Sequence, residues 1–281
     1  MLVKCQQHST VNQTKVFSKV KLLKYSLLAI LLLTHGFTRS AELKILAVDE
    51  PPAAYSNMQG EADGYVIDII RAMQKRLNNH AKVLFIPEAR ALNIMAEEPD
   101  TLLLSISRTP SREANFHWIA KVMEKRWEVY TQVGSNIEIG SLQDLKRLNS
   151  VGVVRGDVRE EWLINKNFKN LNSVTQHKQN VQMLGLGRVD AIVYEEQGLA
   201  YQANALGLSQ QEFKSVFTLN QTSVYIVLSK NSSSQLVEQW QQAFRHIVDS
   251  GELQTIALSW QAILLNQFGI NAQIVDNTLV F

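Results

Sequence analysis

The stretch TLLLSISRTPSREANFHW, residues 101–118, opens as an apolar run and ends as a polar turn carrying Arg108 and Arg112. In TLLLSIS alternate side chains point to opposite faces, so Leu103, Ser105 and Ser107 are predicted on one face and Leu102, Leu104 and Ile106 on the other. The strand turns polar at its carboxyl end, and in open α/β sheets that end borders the crevice where ligands sit. Thr109 followed by Pro110 predicts a helix start, with Thr as the capping residue, Pro at the first helical position and Arg112 on the first turn. Free amide donors, the hydroxyls of Ser105, Ser107 and Thr109, and a guanidinium fork together suit a carboxylate. The same residues also read as a capped turn with two solvated arginines.

Working outward, the segments on both sides alternate between strand and helix patterns. LKILAVD (43–49) reads as a strand, the Pro- and Gly-rich 51–64 as a loop, and YVIDIIRAMQKRLN (65–78) as a helix with Val66, Ile69, Ile70, Met73 and Leu77 on one face. AKVLFIP (81–87) is a strand and RALNIMAEE (90–98) a short helix. After a strand RWEVYTQV (126–133) the pattern restarts: helix 141–148, strand 151–156, helix 157–167, strand 172–176, helix 180–188, strand 191–195 and helix 196–207. Strand 223–230 then leads to one long amphipathic helix over 233–260, with Leu236, Trp240, Phe244 and Ile247 inward. Two successive units of this kind imply two α/β lobes around parallel sheets. The tail 261–281 is apolar enough to pack but carries no positional signal.

Residues 1–40 differ from the rest. Five lysines precede the apolar run SLLAILLL (26–33), and small residues follow in THGFTRSA (34–41), the pattern of a secretory signal peptide cleaved after Ser40 or Ala41. A membrane anchor is the other reading, but the run falls well short of the roughly 20 residues that span a bilayer. Those 40 residues hold six of the 28 basic side chains and no acidic one, so removal leaves 22 against 26 acidic residues, a net charge of −4. A general polyanion-binding surface is not expected, and nucleic acid is not an expected partner. Cys5, the one cysteine, leaves with the leader, taking with it disulfides, thiolate metal sites and cysteine nucleophiles. His80, His117, His177 and His246 stand apart from any partner at metal-ligand spacing and read as packing or surface residues. No nucleophile elbow, phosphate loop or dinucleotide fingerprint is present in the sequence. No catalytic residue, metal or cofactor is therefore expected.

In the order GYVIDI (64–69), SISRTPSREANFHW (105–118), SLQDLKRLNSVGVVRGD (141–157), LGLGRVDAIVYEE (184–196) and AFRHIVDSGELQTIALSW (243–260), the chain resembles the bacterial extracellular solute-binding proteins of family 3. These are periplasmic receptors that deliver polar amino acids to ABC importers. The resemblance runs over about residues 43 to 262. It implies an α/β, two-lobed periplasmic binding protein fold of type II, with two hinge strands and a ligand cleft between the lobes. Lobe 1 would be 41–130 plus 228–281 and lobe 2 131–227, with hinges near Val129–Gln132 and Tyr225–Val227.

The resemblance also implies the site. Arg112 would grip a ligand carboxylate, with hydroxyl and backbone contacts from Ser105, Ser107 and Thr109, and Glu195 would meet the ligand ammonium. Where the family carries a small hydroxyl pair, this chain has Asp157 and Val158. Asp157 can cap the next helix but would repel a bound carboxylate. Glu50, Tyr55 and Phe85 would line the ligand side chain. Arg108, Arg90 and Arg155 sit near strand ends, where they suit a ligand with more than one acid group; alternatively Arg90 and Arg155 pair internally with Glu88, Asp157 or Glu50. The expected function is capture of a small carboxylate-bearing solute, a polar amino acid above all, by a periplasmic monomer serving ABC importer membrane subunits. A dehydratase-like enzyme using Glu50 or Glu195 as acid, or a solute-sensing partner of a membrane receptor, are the alternatives.

Overall fold

The computed structural model describes residues 43–57 and 59–281; the segment read as a signal peptide, with Cys5, lies outside the described residues. The chain forms β1 (Lys44–Ala47), β2 (Tyr55–Ser56), β3 (Ala62–Asp63), α1 (Tyr65–Leu77), β4 (Val83–Phe85), α2 (Glu88–Glu97), β5 (Thr101–Ser107) and β6 (Phe116–Gln132). It continues with α3 (Leu142–Arg147), β7 (Val151–Val154), α4 (Val158–Asn165), β8 (Leu171–Val174), α5 (His177–Gly185), β9 (Ala191–Tyr194), α6 (Glu196–Ala205), β10 (Phe213–Ser229), α7 (Ser234–Asp249), α8 (Glu252–Phe268), β11 (Gln273–Val275) and β12 (Thr278–Val280). One sheet runs β4-β1-β5-β10-β6-β9-β7-β8, with β12 added beside β6 and β11 beside β12.

Two parallel sets, β4-β1-β5 and β9-β7-β8, are joined by the antiparallel pair β6 and β10, each 17 residues long. These two strands pass from one apolar core to another. Met123 and Val224 belong to a core with Ile45, Ile69, Met73 and Trp240, whereas Trp127 and Val129 belong to a second core with Val151, Val158 and Leu163. Fully burying side chains of this size stabilises a fold by about 1.5–3 kcal/mol each, so each core holds its own half together. Between them the strands carry polar residues: Glu124, Lys125 and Arg126 on β6, and Asn220 to Ser223 on β10.

α1 forms where its apolar spacing predicts, burying Val66, Ile69, Ile70 and Met73. Its entry requires glycine: Gly64 has φ 128°, and a Cβ there would lie 2.5 Å from the carbonyl oxygen of Ala53.

Three expectations are corrected. The face alternation of 101–107 fails at Ser105, which has φ 65°; the strand slips register against β10 there, and Ile106 joins Leu103 and Leu46 in one cluster while Leu102 and Leu104 face another. Thr109-Pro110 does not start an α-helix. The Arg112 amide closes a single turn on the Thr109 carbonyl at 3.0 Å, a 3₁₀ turn follows over Glu113–Asn115, and the Thr109 hydroxyl pairs with Ser111 at 3.0 Å rather than with the backbone. The long helix over 233–260 is two helices, because Gly251 takes a left-handed φ of 76° between α7 and α8. The tail gains a place as well: α8 runs on to Phe268, and the β11-β12 hairpin lays Leu279 against Met123 of β6.

Candidate functional site

The charged residues that gather between the two cores form two buried knots. In the first, Arg112 is 4% exposed and donates from Nε and Nη2 to Glu161 at 3.0 and 2.7 Å. Its Nη1 and Nη2 also donate to Glu88 at 3.2 and 3.3 Å, and Nη2 to the carbonyl of Gly156 at 3.3 Å. Glu88 opens α2, which packs with Leu46, Leu103 and Ile106 against the β4-β1-β5 set, whereas Gly156 and Glu161 flank and ride on α4 beside the second core, so Arg112 ties the two halves across the gap. Approach here is close: a Cβ on Gly156 would lie 2.9 Å from that of Ala89.

The second knot sets three carboxylates against two cations. Arg159 donates to both oxygens of Asp157 and to Glu50 at 3.0 Å, and its Nη1 lies 2.5 Å from Glu195. Lys125 donates to Glu50 at 2.9 Å and lies 3.6 Å from Glu195. All five side chains are at least nine-tenths buried. Tyr194 supports the group from below, with His177 stacked on its ring at 4.7 Å and the Arg159 guanidinium 5.3 Å from its centre. Asp157 caps α4, as its place in the sequence predicts, accepting from the Arg159 amide at 2.7 Å. Val158, the departure beside it, is buried in the second core.

Burial and charge compete differently at each acid. Burial disfavours the charged form of Glu50, but Lys125 and Arg159 hold its carboxyl well below the usual range, and Arg159 does the same for Asp157 against its burial. At Glu195 burial prevails over the same two cations and the pKa rises. Glu88 is pushed up to about 8 by burial and by Asp157, with Arg112 opposing. His177 is pushed down to about 4 by burial and by Arg159, so it is neutral, and its Nε2 has no hydrogen-bond partner among the described residues.

The His177 shift fixes a pH dependence. An unfolded histidine takes up its proton near pH 6.5, the folded one only near 4, so the unfolded state binds more protons between them and stability falls as pH drops through that window. Glu88 has the opposite sign, losing stability as pH rises from about 4.5 towards 8. Urea unfolding of the His177→Gln variant is expected to show a shallower loss between pH 6.5 and 4 than the wild type, by a few kcal/mol at the acid end; identical slopes would contradict the assignment.

Glu50, Asp157 and His177 bring donor atoms within 4.8 Å of one another. They do not make a metal seat, because Arg159 Nη2 bonds the same Glu50 and Asp157 oxygens that face His177, and a dication would be pressed against that guanidinium.

A cavity of about 270 Å³ opens beside the knots, with Val48, Asp49, Phe85 and Glu88 on one wall and His177, Lys178 and Gln202 on the other. Of the residues expected in the site, Arg112, Glu50, Asp157 and Glu195 converge on the knots and Phe85 lines the cavity. Tyr55 stands aside, its ring 5.1 Å from that of Tyr201. Ser107 is buried, and the Ser105 hydroxyl is buried without a partner among the described residues. Arg108 points elsewhere, paired with Glu113 at 2.6 and 2.8 Å and held 5.1 Å over Trp118 and 5.2 Å over Tyr225. Thr109 lies with Ser111 on that outer turn, and Arg90 and Arg155 are exposed; the pairings weighed for them with Glu88, Glu50 and Asp157 are made by Arg112 and Arg159 instead.

Sequence reasoning missed Lys125, Arg159, Glu161, Tyr194 and the buried role of His177. One signal was available: Arg159 follows the capping Asp157 by two residues, the spacing at which a guanidinium folds back on its own helix cap.

Residues 43–262 match the family described as "Bacterial extracellular solute-binding proteins, family 3". Among solved structures the fold is similar to a histidine kinase sensor domain with similarity to periplasmic binding proteins, at TM-score 0.70 and 14% identity over 79% of this chain and 97% of that one. It is also similar to an ancestral arginine-binding protein bound to arginine (TM-score 0.66, 20% identity, 78% and 98%) and to the solute receptor for L-cysteine of Neisseria gonorrhoeae (TM-score 0.68, 16% identity, 80% and 92%). The fold is thus the two-lobed α/β architecture of periplasmic binding proteins. The chain belongs to the bacterial extracellular solute-binding proteins, family 3.

Proposed function

We propose that this chain is a periplasmic receptor that captures a small carboxylate-bearing solute, a polar amino acid above all, and presents it to the membrane subunits of an ABC importer. The observation that carries the reading is Arg112, a buried guanidinium between the two cores whose partner from the second core, Glu161, is one-third exposed. A ligand carboxylate takes the place of Glu161 on that fork, since Arg offers two parallel donors matched to either acid. Glu88 stays protonated around neutral pH and does not repel it. The buried Glu195 Oε2, which has no hydrogen-bond partner among the described residues, is the acceptor for a ligand ammonium.

The lobes of this proposal are 41–130 with 228–281, and 131–227. Support comes from the change of apolar core at residues 124–126 of β6 and 220–223 of β10, within a few residues of those limits. Closure about the two strands would bring the Gly156 backbone onto a ligand first held from the Arg112 side. Arginine and L-cysteine, named for two similar structures, are the first ligands to try here.

A thermal-shift screen across amino acids, dicarboxylates and small cyclic acids tests the reading, because a ligand bound to the folded state raises apparent stability by mass action. At least one acid should raise the midpoint and be recovered unaltered by mass spectrometry; a converted product would favour an enzyme, and silence across all acids would end the proposal. Glu161→Gln removes a competing carboxylate from a partly exposed pair and is expected to tighten binding of that acid by about two- to fivefold. Calorimetry showing weaker binding in Glu161→Gln would mean that Glu161 contacts the ligand rather than competes with it. A second reading, a solute-sensing partner of a membrane receptor, draws on the similarity to a sensor domain alone and predicts binding without any effect on uptake.

A further inference from the structure

The cavity of about 270 Å³ beside the knots carries a polar group that capture of a carboxylate does not use. Gln202, on α6, is 4% exposed, and its side-chain amide has no hydrogen-bond partner among the described residues. Unlike the amide of Gln197, it is not sealed in the packing but stands in the cavity wall. Buried amides are nearly always paired, so this one calls for a partner that both donates and accepts.

Two opposite charges face the same space from the two halves. Asp49 follows β1, and Lys178 stands in the first turn of α5. Burial, helped by the charge of Glu50, pushes the Asp49 carboxyl up; a hydrogen bond from the Ser56 amide and the charge of Lys178 pull it back. Lys178 thus acts on Asp49 through space without bonding it. Glu88, which accepts from Arg112 at 3.2 Å, also lines the cavity, so an acid seated on the Arg112 fork has its side chain at the cavity mouth. The volume, just under the roughly 300–1,000 Å³ of drug-sized ligand pockets, suits a solute of amino-acid size.

Resting on the cleft reading, we propose that this cavity selects the captured acid by its side chain and takes one that ends in a primary carboxamide. Such a group has two N–H donors and an oxygen with two lone pairs. One N–H serves Asp49 and the other the Gln202 Oε1, while the oxygen accepts from Lys178 and from the Gln202 Nε2. All three groups are then met. A carboxylate end would suit Lys178 but press on Asp49, and a guanidinium or ammonium end would suit Asp49 but press on Lys178. An apolar end would leave the Gln202 amide desolvated and unpaired.

Isothermal calorimetry on the full chain tests this with L-glutamine, L-asparagine, L-glutamate, L-arginine and L-alanine. L-Glutamine or L-asparagine should bind about tenfold more tightly than the other three, or better. Gln202→Met keeps the side-chain length and breaks no hydrogen bond among the described residues, and its unfolding midpoint without ligand checks that it folds. It should weaken the carboxamide about tenfold and leave the other probes unchanged. Lys178→Met, at an exposed position, reads the same group independently and should weaken the carboxamide by about two- to fivefold. Tighter binding of L-arginine or L-glutamate, abolished in Arg112→Ala, would overturn the carboxamide assignment and leave the cleft reading standing. Carboxamide binding unchanged in both variants, or an equal loss for every probe in Gln202→Met, would overturn it as well. Silence from all five probes would do the same, and the cleft reading would then survive only on a hit from the wider acid screen.

Discussion

Arg159→Ala is expected to destabilise the fold by about 3–5 kcal/mol, the range for removing one partner from a buried ion pair. Its guanidinium holds Asp157 and Glu50 and neutralises Glu195, and without it only Lys125 remains among three buried carboxylates. The loss should shrink on acidification, because Glu50 and Asp157, no longer held low by Arg159, would take up protons and cease to repel. Arg159→Lys keeps the charge but cannot bond both oxygens of Asp157 and reach Glu50 together, so it should fall between wild type and Ala. Urea unfolding at neutral and mildly acid pH measures all of this; a change under about 1 kcal/mol for Arg159→Ala would show that the cluster is slack or solvated.

Arg112→Ala is expected to weaken binding of the captured acid by about 2–5 kcal/mol, because the ligand carboxylate would be desolvated in the cleft with no cation to meet it. The fold should tolerate the change better than loss of Arg159. Glu88, one of the two acids left behind, already holds its proton to about pH 8, and the other, Glu161, reaches solvent. Isothermal calorimetry reads the affinity, and unchanged binding in Arg112→Ala would remove this residue from the site.

Much of this architecture is readable from residue spacing. α1 begins and ends within a residue of its apolar pattern, and β5 spans the seven residues of TLLLSIS. What escaped depends on tertiary partners. The Thr109-Pro110 pair has good helix-start chemistry, yet the chain turns once and stops, with Arg112 engaged by Glu88 and Glu161 from distant segments. Ser105 breaks the alternation through a backbone angle that its side chain does not announce. The tail gave no signal because its partner, Met123, lies more than a hundred residues earlier.

The site was half legible for a similar reason. Arg112, Glu195 and Asp157 came through the resemblance, but their counter-charges did not. Lys125 is one of several charges in a strand of mixed character, and only the pairing of β6 with β9 and β10 aims it inward at Glu50 and Glu195. His177 looked solitary in sequence because the acids near it, Glu50 and Asp157, are supplied by other elements.

The most direct test is a crystal structure with the strongest acid from the thermal-shift screen. The account predicts its carboxylate on the Arg112 fork, with Glu161 swung off the guanidinium and the Arg159 cluster undisturbed. Density for the acid anywhere else, with the Arg112–Glu161 pair still closed, would contradict it.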